Sequence, residues 1–252
     1  MSMHACRNPV PRAPRQRGLT LIELLVSMVI ALFLLGGLLT IVGNTRRVFG
    51  TQNLMAQLQD NERLVITLIG DVIQEAGYFP DPTTNTSTGV LPVVAVTFPT
   101  AGQAITGTYA AAAPGDSITV RFATTKNDGV INCIGGTNTT VITPPVVYVN
   151  AFSIDAANNL VCRLNGAPPV TLVAGIQNVR ILYGVTTNAA ANNGAVDTYL
   201  RADQMTAANW TNVVCVKMTL LFVNPLAGPP GQPATIPFER VVDVMNRAGV
   251  KT

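Results

Sequence analysis

The sequence predicts an α+β protein: one long N-terminal helix laid against an antiparallel β-sheet domain. Three observations carry that expectation. From Leu19 to Val42 the only ionisable side chain is Glu23. From Asn44 to Phe79 apolar residues recur at three- and four-residue steps without a proline. Beyond Pro80 the chain is rich in Thr, Val, Asn, Gly and Pro, with short apolar runs between turn-forming clusters.

Residues 1–18 form a basic leader. Arg7, Arg12, Arg15 and Arg17 are interleaved with Pro9, Pro11 and Pro14, which prevent a stable helix. The apolar run 19–42 follows, and about 20 such residues at roughly 1.5 Å rise cross a bilayer core. Four arginines before the run, against Arg46 and Arg47 after it, place the N-terminus in the cytoplasm and the remainder outside it. An ordinary secretory signal has a shorter apolar region and a small-residue cleavage site, and Thr40-Ile41-Val42-Gly43-Asn44 is a poor one. A plain anchor explains the length but not a carboxylate one turn into the run. An intramembrane carboxylate is costly enough to be a functional signal.

The run Gly18-Leu19-Thr20-Leu21-Ile22-Glu23 resembles the class III signal of type IV pilins and type II secretion pseudopilins. The resemblance implies that a prepilin peptidase cuts between Gly18 and Leu19 and methylates the new amine of Leu19, where the family more often has Phe. It also implies that Glu23 serves assembly. In a helix bundle without water an ionised Glu23 needs a cation, and the freed amine of a neighbouring subunit's Leu19 supplies one near a helix start.

With no proline before Pro80, one helix over 19–79 would be about 90 Å long. Gly36, Gly37, Gly43 and Gly50 are its weak points. Its second part, 44–79, is amphipathic. Leu54, Leu58, Val65, Leu68 or Ile69, Val72, Ala76 and Phe79 form the stripe, and Gly77-Tyr78-Phe79-Pro80 ends it.

Residues 80–252 are expected to form the β-rich domain. Strands are expected at Ser117–Phe122, Val146–Val149, Leu160–Leu164, Val170–Val173, Ile176–Tyr183, Val213–Val223 and Arg240–Met245. Of these, Val213–Val223 is apolar on both faces and reads as central. Asp81–Gly89, Thr187–Gly194 and Leu226–Pro237 read as loops. Outside the cytoplasm, the three cysteines after the leader suggest one disulfide and one spare thiol. Cys133 and Cys162 flank a turn-rich segment and are expected to pair, whereas Cys215 sits mid-strand as a buried thiol.

The order GDSITVRF, DGVINC, NNLVCR, VAGIQNVRILYG, WTNVVCVKMTLL and FERVVDVMNR resembles the minor pilins of the PilW type. That resemblance implies the type IV pilin fold. It also implies an inner-membrane protein with a periplasmic domain that joins the extracellular pilus, and a role in pilus assembly, twitching motility or adhesion. Other minor pilins and the major pilin are the implied partners, with a tip adhesin as a further candidate. Some relatives carry an Asp-rich turn able to hold calcium, but residues 186–197 keep only Asp197. A hard cation wants six or more oxygen ligands, so no metal site is expected.

The lone histidine is His4, in the leader. Chemistry that depends on histidine is therefore not expected downstream, and no phosphate-cradling glycine loop occurs. No catalytic residue and no cofactor are expected. Cutting after Gly18 leaves twelve basic and thirteen acidic residues, a net charge of −1. A near-neutral chain with one Trp gives little support to a DNA-capturing module, and no nucleic-acid partner is expected. The sequence thus points to a non-catalytic minor pilin that primes a type IV pilus or sits at its tip. A type II secretion pseudopilin of the J class is the first alternative, and an adhesive or DNA-capturing tip module is the second.

Overall fold

The computed structural model describes residue 18 and residues 20–187, 195–228 and 231–245. Leu19, the leader residues 1–17 and most of the expected loop at Thr187–Gly194 lie outside the described residues. Helix α1 runs Leu21–Gln74, and the chain divides into two compact units, one up to Gln52 and one from Asn53.

In the first unit α1 exposes every side chain from Leu21 to Gln52. Apolar positions lie all round the helix, so no face is set aside for a core, as expected of a helix whose surroundings are themselves apolar.

In the second unit α1 buries Leu58, Val65, Ile69, Val72 and Ile73, and Ala76 just after it. These steps of three, four and seven residues put one stripe against the sheets. Leu54 stays exposed, and Ile69 rather than Leu68 faces inward. The helix stops at Gln74, short of the expected Phe79. Before Pro80 can act, the strand Ser117–Thr124 (β2) recruits the backbone. The N–H of Gly77 donates to the carbonyl of Arg121, and Ala123 donates to the carbonyl of Tyr78. Gly77 turns the chain at φ +77°, a conformation that suits a residue without Cβ.

Two antiparallel sheets follow. The first is a meander in sequence order, β1 (Ile105–Thr108), β2 (Ser117–Thr124), β3 (Val146–Ile154), β4 (Asn159–Leu164) and β5 (Val170–Ala174). The second holds β6 (Ile176–Val185), β7 (Thr198–Leu200), β8 (Val213–Val223) and β9 (Thr235–Asp243) in the order β7-β6-β8-β9. Short helices occupy Ser87–Val90 (α2) and Ala207–Thr211 (α3). β8 is central, as its two-sided apolarity predicts, and Lys217 within it pairs with Glu239 of β9 at 2.8 Å. The last strand is displaced from expectation. It starts at Thr235, inside the expected loop Leu226–Pro237, and ends at Asp243 rather than Met245. Pro237 is accepted because, among the described residues, β9 pairs only with β8, and an edge strand has one side free of ladder bonds.

The two sheets are joined at Gly115 and Asp116. Gly115 forms a bridge with Val179 of β6, and the Asp116 N–H donates to the Val179 carbonyl at 3.0 Å. The buried Asp116 carboxylate accepts from the N–H of Ile181 (2.7 Å) and of Ala110 (3.0 Å), and Arg180 lies 3.7 Å away. Ile69 of α1 then lines one small space with Ile118, Phe152 and Leu160 of the first sheet and Val179, Ile181 and Met218 of the second.

Candidate functional site

The expected assembly residue, Glu23, sits at the start of α1. Thr20 precedes the helix and Glu23 lies in its first turn. The Thr20 N–H and Oγ1 both donate to Glu23 Oε2, at 3.1 and 3.0 Å. The Glu23 N–H returns a longer bond to Thr20 Oγ1 at 3.4 Å. This reciprocal arrangement is a capping box, which satisfies two of the N–H groups that a helix start leaves without partners. The carboxylate also meets the positive end of the helix dipole. The sequence carries the signal as Thr20-Leu21-Ile22-Glu23, the T-x-x-E pattern before an apolar run, and the expectation above overlooked it.

Glu23 therefore has two demands on it within one turn. Its Oε2 holds the local cap, and Glu23 is exposed, so its other oxygen can accept a bond from outside the chain. Gly18 is exposed and a Cβ added there would meet nothing within 4 Å. Leu19, between Gly18 and the cap, is outside the described residues. From Leu21 onward α1 is the one helix among the described residues long and apolar enough to cross a membrane.

In the second unit Cys133 and Cys162 form a disulfide with Cα atoms 6.3 Å apart. It ties the segment between β2 and β3 to β4, and the Cys133 N–H donates to Asn150 Oδ1 at 2.9 Å. Among the described residues Cys215 is the free cysteine. It is buried on β8 with Sγ 3.6 Å from the Tyr199 hydroxyl, and burial pushes its thiol pKa up. A raised thiol pKa keeps it protonated and unreactive.

Asp197 is spent locally, its Oδ2 accepting from the Thr187 N–H at 2.7 Å and from the Thr187 hydroxyl at 3.1 Å. Among the described residues no group of three or more His, Cys, Asp or Glu side chains is placed to hold a metal ion.

Two family profiles match the chain. The prokaryotic N-terminal methylation motif matches residues 13–39, a span that contains Gly18, Leu19, Thr20 and Glu23. The type IV pilus-assembly protein W profile matches residues 151–236, from within β3 to the start of β9. No curated protein matches the chain. Among solved structures, the chain is similar to the type IV-like pilin TTHA1219 from Thermus thermophilus at 14% identity, with a TM-score of 0.43. That match covers 76% of this chain and 97% of the other.

Proposed function

We propose that this chain is a PilW-type pilin, a non-catalytic minor subunit that starts assembly of a type IV pilus or sits at its tip; the two profile matches support this reading. In this reading a prepilin peptidase removes residues 1–18 on the cytoplasmic side and methylates Leu19. The apolar part of α1 then holds the subunit in the inner membrane, with its β-domain in the periplasm, until it enters the filament beside other pilins.

The observation that carries the reading is the methylation motif, coinciding with a helix start whose one charged side chain is Glu23. The cleavage that frees the Leu19 amine creates a cation one residue before the cap. On a neighbouring subunit that amine can meet the outer oxygen of Glu23, while the inner oxygen keeps the cap. The pairing would set how far an incoming subunit moves along the filament axis. An uncut leader covers the amine, so unprocessed chains lack the cation.

Paired substitutions test this in cells that make the filament. Gly18→Val is expected to leave the precursor uncut on an immunoblot, and normal trimming would sink the assignment. Glu23→Gln keeps an amide oxygen for the cap but removes the charge. It should be trimmed normally yet enter sheared filaments at least about tenfold less, the factor that a loss of about 1.4 kcal/mol gives. Wild-type incorporation of Glu23→Gln would exclude the ion pair.

A further inference from the structure

The segment between α1 and the first sheet carries an unusual surface. Residues 82–115 contain no charged side chain, in a chain that is 12% charged overall. Within this segment Val94 and Phe98 exchange backbone hydrogen bonds of 2.9 and 2.8 Å, closing a tight loop around Ala95-Val96-Thr97. Val96 is 98% exposed, and Val93 and Val94 are about half exposed. Val96 also holds φ +75°. A β-branched side chain is a genuine outlier there, at about 1–3 kcal/mol.

The base of the loop is fixed from below by Arg121 of β2, itself fully buried. Its Nε donates to the Gln103 carbonyl at 2.6 Å, Nη1 to that of Pro92 at 2.7 Å and Nη2 to that of Leu91 at 3.2 Å. The guanidinium also lies 4.2 Å over the ring of Phe98. Burial lowers its pKa to about 10, so the clamp is charged at neutral pH. Leu91 and Phe98 are themselves buried. A buried cation thus holds an apolar tip outward in a strained conformation, and its outermost side chain, Val96, gains almost no packing among the described residues. Strain retained at an exposed position is a signature of preorganised function.

We infer that Val93–Val96 is a preorganised plug that inserts into an uncharged, apolar recess on a neighbouring subunit of the filament. The identity of that neighbour rests on the proposed function; the plug itself rests on the loop. Uncharged character fits the core of a protein interface, from which charges are depleted. A lipid surface fits poorly, because residues 91–103 supply no Lys, Arg, Trp or Tyr to anchor at headgroup level. Four small side chains cover far less than the roughly 1,000 Å² of a free-standing interface. The plug is therefore a hot spot that works between subunits already held side by side in a membrane or filament.

The test places a photoreactive benzoylphenylalanine at Val96, and separately at the exposed Ala156 in the turn between β3 and β4, in the full chain in filament-producing cells. Position 96 should give one discrete cross-linked protein, with the attachment mapped by mass spectrometry to an uncharged apolar segment, and position 156 should not. With the probe moved to Val94, adding Val96→Asp should cut the cross-link at least about tenfold. Asp tolerates positive φ better than Val, so the thermal midpoint should hold or rise, which separates a lost contact from a lost fold. Cross-links to lipid alone, equal yields at 96 and 156, no cross-link at 96, or an unchanged yield with Val96→Asp would each overturn the plug. Trimming after Gly18 is read on the same blot. A trimmed chain without the cross-link defeats the plug alone. An untrimmed chain defeats the filament reading, and the cross-link then decides the plug by itself.

Discussion

Glu23 and Glu75 lie in or next to the same helix and meet opposite fates. Glu23 is exposed at the helix start, where its carboxylate accepts from the N–H and the hydroxyl of Thr20. Glu75 follows the last helical residue and is half-buried; burial raises its carboxyl pKa to about 7. A hydrogen bond from the Ile131 backbone works against that rise, and repulsion from Asp71 and Asp128 adds to it. The folded pKa is thus raised above the unfolded value near 4.5. The folded state binds the extra proton, so its contribution to stability is fully present below about pH 4.5 and is lost as pH rises through about 7. Chemical denaturation of the β-domain should therefore show stability falling across that window. Glu75→Gln should flatten the fall and gain about 1–2 kcal/mol at pH 8, allowing for the water that still reaches the group. An unchanged pH profile in Glu75→Gln would assign the fall to other carboxylates. The Thr20–Glu23 cap was legible in the sequence as T-x-x-E, whereas the state of Glu75 was not. It depends on Asp128 and Ile131, which β2 and the segment after it bring more than fifty residues back to the helix end.

Alternation and apolarity located the strands that have a buried face long enough to display it, such as β2, β6 and β8. They missed β1 and β7, whose sequences Ile-Thr-Gly-Thr and Thr-Tyr-Leu are too short to show a period. They also missed the start of β9, because Pro237 reads as a breaker until its edge position is known. The helix end failed for a related reason, since the competing partner for Gly77 and Tyr78 is the backbone of β2 and not a local signal. The division into two sheets was equally hidden, because it rests on the junction at Gly115. That residue holds φ +97°, and a Cβ there would lie 2.2 Å from the Val179 carbonyl oxygen and from Asn178 Oδ1. Gly115→Ala should push β2 off β6 and cost at least about 2 kcal/mol, more than relief of chain entropy can return. Thermal unfolding checks it, and a loss below about 0.5 kcal/mol would mean that the Asp116 carboxylate alone holds the junction.

At the scale of the whole chain the core begins only at Leu58 and draws on the second part of α1 and both sheets, while residues 21–52 bury nothing. Packing on the core is thus confined to the second part of the helix, and on the proposed reading anchoring falls to the first. The assignment was legible from the change of pattern after Asn44, because an all-round apolar surface and a one-sided stripe are different sequences before they are different structures. It also makes a prediction that separates the two tasks. A fragment beginning at Asn53 retains the core stripe, both sheets and the Cys133–Cys162 bond. It should be soluble without detergent and unfold in one cooperative transition, with the Glu75 pH profile intact. The cysteines are 29 residues apart, so reduction should lower its stability by about 3–4 kcal/mol in the chain-entropy account. A fragment that aggregates or melts without cooperativity would mean that the apolar stretch stabilises the domain as well as anchoring it. A soluble, cooperative fragment that never reaches the filament would instead, on the proposed reading, assign membrane retention and assembly to residues 19–52.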